Sequence, residues 1–355
     1  MKGSPYIAWA KSRLGIRYNL AASGVRACPP ELLEPTLEDF TLGGAFPNGW
    51  TPLLERIARR YGVTESQVVL EHGCGMADHL ACAALLEPGD EVLIEHPAYE
   101  PLVALPRYLG ATVRGFDRVP EDGWRLDPDR VASALTPRTR MVILSNLHNP
   151  SGALVGGEEL RALGEIALER GIHVLVDEVY LEWLGDDGVP SAARLGPPFV
   201  ATTSLTKAYG LDWLRAGWVL APPDVAERIR RMQDLFSGHI AQPTQRLAAK
   251  ALDRATALLA LLRPQVERNR ELVDRFVREH ERLSWVPPVA GTVGFVQLRD
   301  GSVDALVETL ETRYDTTVAP GRFFGMPDWF RVGFGMDTAV LEEGLARLAA
   351  ALESL

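Results

Sequence analysis

The stretch "RMVILSNLHNPSGALVGGEELRALGEIALERGIHVLVDEVY", residues 140–180, decides the fold. It opens on the apolar run 140–146 and closes on another, 172–179. Runs that are apolar throughout, rather than at every second residue, suit strands covered on both faces and therefore a mostly parallel sheet. Between them, residues 156–171 place Leu160, Leu163, Ile166 and Ala167 at helical spacing and end in Gly171, a helix stop. Strand, helix, strand is the βαβ unit of an α/β protein.

The same kind of run recurs at 67–73, 90–96, 111–116, 199–205 and 216–222. With the first two, these predict a mostly parallel seven-stranded sheet with helices on both faces. After Pro223 the pattern changes. Helical stretches fill 224–282, then come strand-like 291–298, a helix at 302–313, strand-like 329–335 and a last helix at 338–353. That mixture predicts a second, smaller α+β lobe. No internal repeat, charged tail or low-complexity segment interrupts the chain.

A chain of 355 residues with 46% hydrophobic residues can bury a large core. Its 37 Lys and Arg against 47 Asp and Glu leave a net charge of -10, which argues against a general nucleic-acid or anionic-membrane binder. Cys28, Cys74 and Cys82 are too scattered for a disulfide framework or a CxxC metal site, so free thiols, a reducing compartment and no metal are expected. The N-terminus has no continuous apolar leader and no run is long enough to span a membrane, so the cytoplasm is the expected location.

In such a sheet, ligands sit beyond the carboxyl ends of the strands. There the sequence places Gly73-Cys74-Gly75, then Asn146 and Asn149, then Asp177 and Tyr180, then Ser204, Thr206 and Lys207. The glycine turn reads as a tight loop or as an anion site at a helix start near Met76. It lacks the GxGxxG spacing, since Asp78 takes the last position. Lys207 is no Walker lysine and, taken alone, reads as a solvated strand end or an ion-pair partner. Asp177 and Glu178 are adjacent on a strand, so only one of them faces the site.

As a set, "NGWTPLLERIARRYG", "LEPGDEVLIEHPAYEP", "NLHNPSG", "DEVYLEW", "SLTKAYGLDWLRAGW" and "GRFFGMPDWFRVGFG" resemble the class I and II aminotransferases, pyridoxal-phosphate enzymes of fold-type I, in order and spacing over nearly the whole chain. The resemblance implies a large cofactor-binding domain at 41–262, a small C-terminal domain at 263–355, and an N-terminal segment, 1–40, that packs with the small domain. It implies pyridoxal 5′-phosphate joined to Lys207 as a Schiff base, a role that needs an amine whose pKa is lowered by desolvation and nearby cations. Arg215, Ser204 and the backbone N–H groups of Cys74 and Gly75, in the cofactor-binding turn that Gly73 opens, would hold the phosphate. Asp177 would pair with the pyridine nitrogen. Tyr180 and Asn149 would bond the ring's 3-oxygen, and Tyr99 would stack on the ring, with plain core packing as its alternative reading. Arg331 would clamp the substrate carboxylate, with Asn149 and Gly24 beside the substrate. A solvated arginine on a small-lobe strand is the other reading of Arg331.

The activity implied is transfer of an amino group between an L-amino acid and a 2-oxo acid by a ping-pong mechanism, in a homodimer. Lys207, Asp177 and Arg331 are shared by lyases, decarboxylases and cyclases of the same fold, in which substrate orientation selects the bond broken. A remote alternative is a non-catalytic, cofactor-binding sensor lobe; such proteins carry an added DNA-binding domain, and here the fold begins close to Met1. Histidinol-phosphate aminotransferases are disfavoured, because "NLAASGVRACPP" lacks their usual N-terminal stretch. The sequence also departs from the family pattern. Gly44 stands where a tyrosine often reaches the neighbouring subunit's phosphate, with Phe46 the nearest aromatic, and Trp213 replaces a common glycine. His148 and Ser151 vary Asn-Asn-Pro-Thr-Gly, and Ser237 and His239 lie on a segment that relatives send toward the partner, with a plain surface loop as the other reading.

Overall fold

Alternation of side chains along a strand explains most of this architecture. The structure, a computed structural model, describes residues 3–44, 46–185 and 188–354. One sheet contains β1 (Val68–Glu71), β2 (Glu91–His96), β3 (Thr112–Asp117), β4 (Thr139–Ser145), β5 (His173–Asp177), β6 (Phe199–Ser204) and β7 (Gly217–Leu220). Each lies on one of the seven apolar runs. Their order is β1-β7-β6-β5-β4-β2-β3. β7 is antiparallel to both neighbours and the other pairs are parallel. β1 therefore points the same way as β6, and every strand but β7 ends at one edge.

On one face Val92, Ile94, Met141, Ile143, Leu175 and Val200 pack under the helices Cys74–Leu85, Glu100–Tyr108 and Pro223–Phe236. On the other, Leu93, Val142, Leu144, Val174 and Val176 pack under Pro128–Ala134 and Gly157–Arg170. Consecutive residues thus feed opposite cores, and both faces are covered, as unbroken apolar runs require. Each such side chain, fully buried, contributes roughly 1.5–3 kcal/mol.

A second, antiparallel sheet follows: β8 (Leu283–Trp285), β9 (Val293–Leu298), β10 (Ala319–Pro320) and β11 (Trp329–Gly333), in the order β10-β11-β9-β8. β9 and β11 are the strands expected there; β8 and β10 are too short to carry a readable period. The helices Ala255–Glu279, Val303–Arg313 and Thr338–Glu353 accompany this sheet, in agreement with the α+β expectation.

The beginning of the chain is tied to this second unit. Tyr18–Asn19 pairs in parallel with Thr316–Thr317. Tyr6 and Trp9, on the helix Pro5–Lys11, pack against Phe323. Segment 22–24 then presses on the end of β11: a Cβ on Gly333 would lie 1.8 Å from the Ala22 carbonyl oxygen, and one on Gly335 2.3 Å from that of Gly24. Only glycine permits this approach. Among the described residues no helix is long and apolar enough to cross a membrane.

Candidate active site

Strand parity aims the first functional group. Asp177 closes β5 on the face of Leu175, toward the helix Cys74–Leu85, whereas Glu178 turns away and accepts the Ala192 N–H at 2.7 Å. Asp177 Oδ1 accepts the Cys74 thiol at 3.2 Å and the Val179 N–H at 3.0 Å. Thr202, in register with Asp177 on β6, donates its hydroxyl to Asp78 Oδ1 at 2.6 Å. Ligand atoms of Cys74, Asp78 and Asp177 lie within 4.8 Å of one another. Burial raises both carboxyls, and the charge of Asp177 adds to the rise at Asp78.

The turn after β1 meets the approach to β7. Gly73 has φ 91, and the helix begins directly at Cys74 rather than near Met76. Arg215 has φ 49, a left-handed backbone that costs on the order of 1–3 kcal/mol. Its Nη2 donates to the His72 carbonyl at 3.2 Å and would lie 2.8 Å from a Cβ on Gly73. Gly75 is exposed, a Cβ there would meet nothing within 4 Å, and the first N–H groups of this helix have no intrahelical acceptor. Ser204 ends β6 opposite Gly217 and is buried, its Oγ accepting the Thr206 N–H at 3.4 Å.

Lys207 stands on the one-turn helix after β6, between these groups and the second sheet. Its Nζ donates to Ser23 Oγ at 2.8 Å. Burial first, then the positive charge of Arg331, bring the amine down to about 8, against the pull of Asp177 and Asp212. Tyr180, buried, donates its hydroxyl to the Ser23 carbonyl at 2.9 Å. A Cβ on Gly24 would lie 3.7 Å from Lys207 Cδ.

The opposite end is cationic. Arg331, on β11 and 0% exposed, donates from Nη1 to Asn149 Oδ1 at 3.0 Å, and from Nη2 to the Tyr6 hydroxyl at 2.6 Å and the Ala21 carbonyl at 2.9 Å. Its buried Nε has no protein partner. Asn149 is fixed from behind: its N–H donates to Ser145 Oγ at 2.9 Å, and that hydroxyl donates to Glu95 Oε1 at 2.6 Å. Glu95 is in turn paired with buried Arg118 at 2.8 Å. His148 joins the neighbouring loops, bonding the Pro97 carbonyl at 2.8 Å and Ser151 at 2.6 Å. Tyr99 is half-buried and lies edge-on to Tyr6, ring centroids 5.7 Å apart.

Of the residues singled out in the sequence, Gly73, Cys74, Gly75, Asn149, Asp177, Tyr180, Ser204, Lys207 and Arg215 thus lie along this edge, and Gly24, Tyr99 and Arg331 beside or across from it. Trp213 instead bonds the Cys28 carbonyl at 3.1 Å. Ser237 donates to Glu71 at 3.0 Å, and His239 is exposed. Phe46 folds back so that its ring would lie 2.1 Å from a Cβ on Gly44. Sequence reasoning missed Ser23, Tyr6, Asp78 and Glu95. The first two come from a segment without hydrophobic period, and the others are single polar residues within apolar runs, a signal that was present.

The sequence profile of the class I and II aminotransferases matches residues 46–348. Capreomycidine synthase of Streptomyces vinaceus is 31% identical, covering 98% of this chain and 93% of its own length. An arginine–pyruvate transaminase of Pseudomonas aeruginosa is 29% identical over 90% of this chain and 86% of its own length. A crystal structure of a pyridoxal-phosphate-dependent aminotransferase from Streptococcus suis superposes with a TM-score of 0.92 at 27% identity, covering 100% of this chain and 99% of that one.

Proposed function

The chain belongs to the class I and II aminotransferase family, whose members hold pyridoxal 5′-phosphate covalently on a lysine, and from that premise we propose that it moves an amino group between an L-amino acid and a 2-oxo acid in a ping-pong cycle. The observation that carries the cofactor part of this reading is the Lys207 amine, held by Ser23 and brought to about 8 under the charges of a buried acid, Asp177, and a buried arginine, Arg331; the likeness to the arginine–pyruvate transaminase supports the amino transfer. The residues present fit the cofactor. A buried carboxyl raised by desolvation invites a cationic N–H donor, and a guanidinium beside open helix N–H groups invites a phosphate.

When bound, the cofactor supplies an aldehyde for the lysine and a ring that takes up the electron pair left on the substrate Cα. Lys207 Nζ is the group we assign to that bond. When the substrate amine takes its place, the Lys207 amine would be free to accept and give back the proton at the substrate Cα. Asp177, locked by Cys74 and Val179, would hold the proton on the ring nitrogen. Arg215, Ser204 and the N–H groups of Cys74 and Gly75 would bind the phosphate; Gly73 gives its own N–H to the Glu71 carbonyl at 2.8 Å and would only shape the turn. Asn149 would serve the ring oxygen, joined by Tyr180 when its one O–H proton turns there from the Ser23 carbonyl, and Tyr99 would serve the ring face. Arg331 offers its free Nε and neighbouring donors to the substrate carboxylate, with Asn149 and Gly24 alongside, which fixes the Cα bond that breaks.

We also divide the chain at 40 and 262, supported by one sheet within 68–220 and another within 283–333. First proteolytic cuts inside either sheet rather than between them would break that division. The homodimer reading is supported by exposed Leu37, Phe40, Leu42, Leu235 and Phe236, and a monomeric active enzyme in light scattering would overturn it. The free thiols Cys28, Cys74 and Cys82 support the cytoplasm, and export of the native protein would refute it.

The likeness to capreomycidine synthase supports a second reading, a cyclase or lyase using the same residues on a different substrate bond. A panel of amino acids, arginine first, separates the two. Transamination gives an oxo acid and needs an acceptor to turn over; the rival reactions give a cyclised or cleaved product without one.

A further inference from the structure

Resting on the reading of Lys207 as the cofactor lysine, we infer that Ser23 is a further catalytic residue, whose hydroxyl holds the Lys207 amine while its backbone is locked by Tyr180 and Thr292. The contact is direct, Nζ to Oγ at 2.8 Å. The Ser23 carbonyl accepts two hydroxyls, from Tyr180 and from Thr292, each at 2.9 Å. A carbonyl oxygen has two lone pairs, and both are used. On either side the chain is pressed into place, Ala22 against Gly333 and Gly24 against Gly335. Ser23 is therefore held from the edge of the second sheet and from the turn after β5 together, so its backbone is fixed before any substrate arrives.

The residue type matters as much as the place. The charged groups that act on the amine are Arg331 and Arg215, which lower its proton affinity, and Asp177 and Asp212, which raise it. Among the described residues no carboxylate lies within ion-pair distance of Nζ; a neutral hydroxyl receives it instead. A carboxylate there would stabilise the ammonium and spoil the base. A hydroxyl positions the amine without adding charge, and it keeps its own proton free to donate. Ser23 also links two groups of the site through one residue, since its side chain takes Lys207 and its main chain takes Tyr180.

The test uses the full-length chain in two forms. In the cofactor-free protein, the pH dependence of Lys207 labelling by an acylating reagent, read by mass spectrometry, should show a midpoint near 8. Ser23→Asp should move that midpoint up by about one pH unit or more. Ser23→Ala should move it down or leave it and lower holoenzyme kcat by about tenfold, with KM little changed. Ser23→Thr, which keeps the hydroxyl, should restore kcat and keep the midpoint near 8, which a merely structural role would not require. An unchanged midpoint in Ser23→Asp together with full kcat in Ser23→Ala overturns the inference. Failure of the parent reading looks different. Borohydride would then fix the cofactor to a lysine other than Lys207, while the labelling midpoint would still report on the Ser23 contact.

Discussion

Asp177 and Arg331 are both buried and charged, and they flank the same lysine, yet they are built in opposite ways. The Asp177 end is the product of one sheet. Ser145, Asp177 and Thr202 stand in register on three adjacent strands, and parity aims Asp177 and Thr202 at the helix that carries Cys74 and Asp78. The Arg331 end is an assembly of segments distant in sequence: Tyr6 and Ala21 from the N-terminus, Asn149 from the first sheet and Arg331 from the second. The first end gathers two carboxyls, and burial raises both above their usual range. The second disperses one positive charge over neutral acceptors and keeps an N–H in reserve. An electron sink needs a fixed carboxylate, whereas substrate exchange needs a donor set that can be refilled at every turnover.

The comparison can be broken at its midpoint first. Lys207→Ala should lower turnover by roughly 10⁴-fold or more and abolish borohydride fixation of the cofactor. Near-normal turnover would remove the hinge between the two ends. Asp177→Asn should come next, lowering kcat by roughly 10²–10³-fold with little change in KM. If Asn149 and Arg331 hold the carboxylate as argued, Arg331→Leu should instead appear mainly in KM, raised by about 10²-fold. A pure kcat loss there would reverse the assignment of the ends. Tyr6→Phe removes one hydrogen bond to a charged donor and should raise KM by about tenfold.

The smallest effect sharpens the acidic end. A carboxyl whose folded pKa is raised adds stability while protonated, and that contribution is lost as pH rises through the folded value. Asp78 is such a group, raised by burial and by Asp177. Asp78→Asn should therefore flatten the dependence of Tm on pH in the cofactor-free protein and raise Tm at neutral pH; an equal or steeper dependence would show that Asp78 is already ionised.

The same contrast explains what the sequence disclosed. The places of Asp177, Ser204 and Lys207 were legible because each stands at or just after the end of an apolar run, whereas Arg215 entered only through the family resemblance of "SLTKAYGLDWLRAGW". Ser23 and Tyr6 were not, because their place depends on Tyr18–Asn19 pairing with Thr316–Thr317, a long-range contact with no periodic trace. Asp78 was read only as a broken glycine fingerprint, although a lone acid in a helix otherwise rich in Ala and Leu is itself a sign of a buried polar partner. Gly333 and Gly335 were likewise unremarked within "RVGFG", yet their missing side chains let Ala22 and Gly24 reach the site.

The most direct test of the central claim is a single turnover of the holoenzyme with one amino acid at a time and no oxo acid present. The account predicts that the cofactor's visible band is lost and one equivalent of the matching oxo acid is released, with no further consumption until an acceptor is added. Continued consumption without an acceptor, giving ammonia, carbon dioxide or a cyclised product while the visible band persists, would contradict it.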